Sequence, residues 1–264
     1  MRRYILTLAV MLFAAVPPLF AWGQKAHRII AEVAYNSLTD KAAAAVDSLF
    51  GRHGMVWCAN WADEIKSDTV YPDSYDWHFQ DLAPRLTDSA VIATLHCYPL
   101  HGGRLWRVID SLKTILSAPQ KPQGQQHTDA LKFFIHLTGD CYCPMHIAHE
   151  DDLGGNLVKM KWHGEPTNLH RVWDENLVES RGYSYTEYAD YLISSYSAER
   201  QAIENASRDS LLIVSYRLTQ DIYDYQNSGD SNTYHYIYRW HKVCEKQIYT
   251  AGVRLAKWLN KFYR

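Results

Sequence analysis

His127–His146, HTDALKFFIHLTGDCYCPMH, decides how the rest of the chain is read. From His127 to Gly139 the residues Leu131, Phe133, Phe134, Ile135 and Leu137 predict a strongly apolar helix. His136 and Asp140 stand four apart on it, so they share a face and can reach one metal ion or two adjacent ones. Cys143-Pro144 marks a bend after the helix, and His146 follows at once. His170 and Asp174 repeat the four-residue spacing further on. Each pair alone reads as an ordinary ion pair. Two pairs plus His146, in a chain with 13 histidines, point to a metal site.

Working outward, the pattern is helical on both sides. Helices are predicted for Gln24–Leu38, for Lys41–Phe50 behind an N-cap at Thr39, for Arg104–Leu116 and for Leu169–Glu179. Three more are predicted for Tyr185–Tyr196, Asp209–Tyr225 and Tyr234–Tyr263. Asn60–Lys66 reads as a helical turn or two, and Tyr71–Arg85, with Pro72 and Pro84, as irregular chain. Asn156–Trp162 alternates well enough for a short strand, with Gly164-Glu165-Pro166 closing a hairpin. No repeat or linker interrupts the pattern, so the fold class is mainly α, one domain over residues 22–264.

The first 21 residues, MRRYILTLAVMLFAAVPPLFA, have the two-Arg start, apolar run and small-residue end of a secretory signal peptide. The competing reading is an uncleaved membrane anchor, against which stand the short apolar core and Pro17-Pro18. Removing Arg2 and Arg3 leaves 25 basic against 29 acidic residues, a net charge of −4, unlike the basic balance of a protein that binds polyanions by charge alone. Bound divalent cations would still allow a negative chain to hold phosphate at one spot. Five cysteines permit disulfides in an exported chain, but sequence assigns none; Cys141-Tyr142-Cys143 reads as structural, with a metal role conceivable beside Asp140.

Cleavage after Ala21 would put Trp22 at the new N-terminus, five residues before His27. A free α-amine and its own carbonyl oxygen can chelate one metal ion in a five-membered ring, provided the amine is neutral. Amine, imidazoles and carboxylates together suit metal-assisted hydrolysis.

Trp22 with His27, Trp61-Ala62-Asp63, His78, the His136–Asp140–His146 triplet and Asn168-Leu169-His170-Arg171-Val172-Trp173-Asp174 together resemble the S1/P1 nuclease family over nearly the whole of residues 22–264. That resemblance implies an exported enzyme with the helical fold shared by zinc phospholipase C and P1 nuclease. It would cut single-stranded DNA or RNA to 5′-nucleotides and act as a 3′-nucleotidase. It also implies three Zn²⁺: one held by Asp63, His78, His136 and Asp140; a second by the Trp22 amine and carbonyl, His27 and a bridging Asp140; a third by His146, His170 and Asp174. By the same resemblance Asp63, Asp140 and Lys66 are catalytic, with Lys66 neutralising charge in the transition state, while Phe79, Asp81 and Asn156 contact the nucleotide. Its substrates are single-stranded nucleic acid and 3′-nucleotides, and its place is the periplasm or the medium, without stable membrane association.

His53, His96, His101, His127, His149, His163, His235 and His241 match no ligand role and read as surface or hydrogen-bonded residues. The aromatics of the last helix read first as packing. Two rivals remain: a lipid phosphodiesterase of the phospholipase C type with the same metals, and a non-catalytic zinc-binding protein.

Overall fold

The computed structural model describes residues 22–97 and 102–264; the proposed leader, residues 1–21, and His101 lie outside them. The chain opens with α1 (Gln24–Tyr35), α2 (Asp40–Phe50), α3 (Gly54–Trp57) and α4 (Trp61–Glu64). There follow α5 (Asp88–Cys97), α6 (Leu105–Ser117) and the long α7 (Gly124–Asp140). A hairpin, β1 (Lys159–Trp162) and β2 (Glu165–Asn168), leads into α8 (Leu169–Arg171) and α9 (Leu177–Glu179). α10 (Tyr185–Tyr196), α11 (Arg200–Asn205), α12 (Arg208–Asn227) and α13 (Thr233–Phe262) complete the chain. The mainly α class is thus observed, with an antiparallel pair as the sheet among the described residues.

Local chemistry explains the boundaries. Thr39 caps α2 by accepting from Ala42 N, as its sequence position predicts. Ser184 and Glu187 form a reciprocal capping box at α10. Asn168 accepts from Arg171 N at 2.7 Å and turns the end of β2 directly into α8.

α13 is the spine: α1, α7, α9, α10 and α11 all pack on it, and α1 also packs on α7. Two glycines permit the close approach. A Cβ on Gly252 of α13 would lie 2.6 Å from Val33 Cγ1 of α1, and one on Gly139 of α7 would lie 2.9 Å from His27 Nδ1. This brings His27 onto α7, where its ring stacks on His136 with centroids 3.7 Å apart.

Three expectations need correction. The strand is shorter than Asn156–Trp162, because Asn156 to Val158 belong to the preceding turn. Glu165 and Pro166 are paired in β2, opposite Trp162 and Lys161, so the turn is His163-Gly164. Pro is tolerated there because a two-stranded sheet has only edge strands. The aromatics of α13 divide by face: Tyr236, Trp240 and Tyr249 are buried, whereas Tyr234 is 72% and Tyr238 86% exposed. All five cysteines are free thiols, and no described helix is long and apolar enough to cross a membrane.

Candidate metal centre and substrate cleft

Six elements or turns deliver the polar residues singled out by the sequence to one place. Trp22 and His27 come from the start of the chain and α1, Asp63 from α4, and His78 from the irregular segment before α5. α7 supplies His136 and Asp140, the single turn Pro144–Ile147 supplies His146, and the α8 region supplies His170 and Asp174. The last helix is not regular: Val172–Asn176 is a π-helical bulge between α8 and α9, and Asp174 sits in it. Such bulges cluster at functional sites.

Asp140 lies at the centre, fully buried. Its Oδ1 is 3.3 Å from His27 Nε2 and its Oδ2 is 3.0 Å from His78 Nδ1 and 3.4 Å from His136 Nε2. Asp63 Oδ1 stands 3.6 Å from His78 Nδ1 and 3.5 Å from His136 Nε2. On the other side Asp174 places Oδ2 2.9 Å from His170 Nε2 and Oδ1 3.8 Å from His146 Nε2. His146 Nδ1, 3.6 Å from Asp140 Oδ1, links the two groups. The eight side chains named as ligands by the resemblance are therefore brought together, with Asp140 between the two groups.

Backbone carbonyls fix three of the rings. His136 Nδ1 donates to Ala59 O at 2.7 Å, His146 Nδ1 to His78 O at 2.6 Å and His170 Nδ1 to Gly154 O at 2.7 Å. Each bond commits the proton to Nδ1 and leaves the Nε2 lone pair for a Lewis acid. His78 is turned the other way and directs Nδ1 at the two aspartates. Trp22 is buried, its indole donating to Gly139 O at 3.0 Å, and Gly23 N donates to Asp174 O at 2.8 Å. The start of the described chain is thus pinned to the main chain at Gly139, next to Asp140, and at Asp174.

The electrostatics ask for cations. Burial alone would raise Asp140, yet His136 and His146 hold it well below the usual carboxylate range; His136 and Lys66 do the same for Asp63. Burial keeps His27 and His146 neutral and pushes His78 down to about 3. Against the effect of burial, Asp174 lifts His170 to about 9. Against burial, Asp63 and Asp140 raise His136 too, so His27, His78 and His146 are held in the neutral form that binds metal, while a metal ion would displace a proton from His136 and His170. His27 Nε2, Asp140 Oδ1 and His146 Nε2 are moreover buried without a hydrogen-bond partner, which is costly unless something else occupies their lone pairs. Nitrogen and oxygen donors in this mix suit Zn²⁺.

A cleft opens beside this cluster. His78, His146 and His170 line its floor; Lys66, Phe79, Asp81 and Asn156 line its walls. Lys66 Nζ is 2.6 Å from Asp63 Oδ1, so the expected transition-state cation borders the cluster. Phe79 is held by its carbonyl, which accepts from Leu105 N, and by Gly103, where φ is +93° and a Cβ would meet Phe79 Cδ2 at 2.7 Å. Burial raises the Asp81 carboxyl to about 7, with His170 opposing.

Two neighbours and one contact were not foreseen. Tyr75, 47% exposed, meets Phe79 edge-on with centroids 6.0 Å apart, and Leu153 adds an exposed apolar side chain to the cleft. Cys143 donates its thiol to Asp174 Oδ1 at 3.4 Å. The adjacency of Cys143 to Pro144 and His146 was visible in sequence, but a partner 31 positions away was not. His149, read as outside the ligand set, is half-buried, stacks on Tyr223 and approaches Gln220.

With this geometry in place, comparison is decisive. Residues 22–264 match the family model described as S1/P1 Nuclease. The chain belongs to the S1/P1 nuclease family. It is 26% identical to Nuclease S1 of Aspergillus oryzae over 268 residues, covering 91% of each chain. It is 25% identical to Endonuclease 3 of Arabidopsis thaliana over 290 residues, covering 100% of this chain and 96% of that one. With Nuclease P1 of Penicillium citrinum it shares 24% identity over 156 residues, 58% of this chain and 57% of the relative. As a member of this family it is a nuclease, a hydrolase of phosphodiester bonds.

Proposed function

We propose that the mature chain, residues 22–264 after removal of the leader 1–21, is an exported tri-zinc nuclease. It cleaves single-stranded DNA and RNA to 5′-nucleotides and also removes 3′-phosphates from nucleotides. The observation that carries this reading is a buried cluster of five imidazoles and three carboxylates that opens onto a cleft walled by Phe79, Asp81 and Lys66.

Asp63, His78, His136 and Asp140 would hold one Zn²⁺, the Trp22 amine and carbonyl with His27 and Asp140 a second, and His146, His170 and Asp174 a third. Bound zinc supplies acidified water and charge neutralisation for in-line attack on phosphorus. The protein's own groups do the rest. Asp140, shared between sites, keeps two of them in register. Lys66, beside Asp63, neutralises charge that builds on the phosphoryl oxygens. Phe79 stacks a base and Asp81 and Asn156 meet its polar edge or the sugar; stacking needs an exposed base face, which a duplex hides.

The test is hydrolysis of single-stranded RNA and DNA by protein beginning at Trp22, with chelator and then with zinc restored. Chelator-sensitive, zinc-rescued release of 5′-nucleotides is expected. Turnover of a choline phospholipid with none of nucleic acid would replace this reading by the lipid one, and bound zinc without turnover of either by the storage one.

A further inference from the structure

We infer that Cys143 is a positioning residue, whose thiol fixes the orientation of the Asp174 carboxylate toward His146 and His170. The inference rests on the metal reading above. Cys143 is fully buried, and Sγ lies 3.4 Å from Asp174 Oδ1. The two oxygens of Asp174 thereby have separate neighbours: Oδ2 faces His170 Nε2 at 2.9 Å, and Oδ1 faces the thiol and, at 3.8 Å, His146 Nε2. A carboxylate bonded through one oxygen can turn about its Cβ–Cγ bond; a donor on the second oxygen stops that rotation. A thiol is a weak donor, but full burial shields the bond from competing solvent.

The backbone of Cys143 is equally committed. Its N–H donates to Asp140 O at 3.1 Å, and its carbonyl accepts from His146 N at 3.1 Å. One residue therefore bonds the main chain of Asp140 and of His146 and, through its side chain, the carboxylate of Asp174. Asp174 stands in the π-helical Val172–Asn176 segment, where the N–H of Leu177 bonds the Val172 carbonyl five residues back in place of the regular i to i−4 bond. Donor atoms of Cys143, His146 and Asp174 all lie within 4.8 Å of one another, so direct sulfur ligation is the competing outcome that the experiment must separate.

The experiment compares the wild type with Cys143→Ala and Cys143→Ser, all beginning at Trp22. Zinc affinity is read by competition against a chromophoric chelator, and geometry by the absorption of the Co²⁺-substituted proteins. Cys143→Ala is expected to weaken one metal equivalent by about 10- to 100-fold, the usual effect of losing an outer partner, and to leave the others unchanged. Cys143→Ser, which keeps a donor, is expected to restore most of that affinity. The wild-type cobalt spectrum is expected to lack thiolate-to-cobalt charge transfer. Unchanged affinity in Cys143→Ala overturns the inference alone. A charge-transfer band in the wild type that vanishes in Cys143→Ser overturns it in favour of ligation. A wild type that binds no metal overturns the metal reading and the inference with it.

Discussion

The floor and the wall of the cleft are built on different principles. On the floor, the imidazoles and carboxylates crowd against one another at 2.9 to 3.8 Å. Carbonyls from Ala59, His78 and Gly154 orient three rings, and the three aspartates are shared among several partners. On the wall, Phe79, Asp81, Asn156 and Tyr75 each come from loop or single-turn segments and rely on few contacts. Reaction chemistry tolerates little displacement of its groups, whereas base recognition by stacking tolerates a good deal. A floor of shared ligands should fail as a unit, and a wall of separate contacts should fail piecemeal.

Asp140→Asn gives the largest expected effect. It preserves size but removes the charge at the centre of the floor, where His27, His78 and His136 converge. A loss of about 10³-fold or more in kcat on every substrate is expected, together with loss of more than one zinc equivalent in metal analysis. If only one equivalent were lost, Asp140 would not be shared and the unitary floor would be wrong. One extra residue before Trp22 tests the same region without touching a side chain. The indole stays anchored on Gly139 while the amine is displaced, so one zinc equivalent and about 10²-fold in kcat should be lost. Unchanged metal content in that extended protein would remove the N-terminus from the floor.

Lys66 lies on the boundary. Lys66→Met removes a cation while keeping the bulk of its stem. About 10²-fold should be lost in kcat with KM nearly unchanged, because the charge it serves develops only in the transition state. A rise in KM with kcat unchanged would place Lys66 on the wall, as a ground-state phosphate contact.

The floor was far more legible than the wall. His136–Asp140 and His170–Asp174 announce themselves through the four-residue helical spacing, and the structure keeps both pairs within 3.4 Å or less. His27 entered through the free amine expected at Trp22, but Asp63 and His78 came only through family resemblance, since separations of 58 to 62 positions, as from His78 to His136 and Asp140, carry no periodicity. α5 was missed because Val91, Ile92, Ala93 and Leu95 follow in near succession and spread around the helix, so that Asp88–Cys97 shows no clear amphipathic stripe. The π-bulge at Val172–Asn176 was read as plain helix because its side-chain pattern is helical; a one-residue shift in backbone bonding leaves no mark on composition. Tyr75 and Leu153 were silent for a related reason: an exposed aromatic in a loop becomes meaningful only when the fold sets a cleft beside it.

The wall gives the smallest effects, and their separability is the sharpest check on the contrast. Phe79→Ala should raise KM for single-stranded substrates while sparing kcat, since a stacked base is worth about 1–3 kcal/mol, roughly 5- to 150-fold. Tyr75→Ala removes only the ring that meets Phe79 edge-on, a pair worth about 0.5–1.5 kcal/mol, so KM should rise by roughly 2- to 12-fold. Measured on a 3′-mononucleotide and on an oligonucleotide, the two variants and their double mutant decide the point. If Tyr75 merely steadies Phe79, its removal costs little once Phe79 is gone, and the double mutant resembles Phe79→Ala on both substrates. If Tyr75 meets a second base, its effect appears on the oligonucleotide alone and adds to that of Phe79. Zinc content should stay at the wild-type level in all three variants; a drop would mean that wall and floor are mechanically one structure after all.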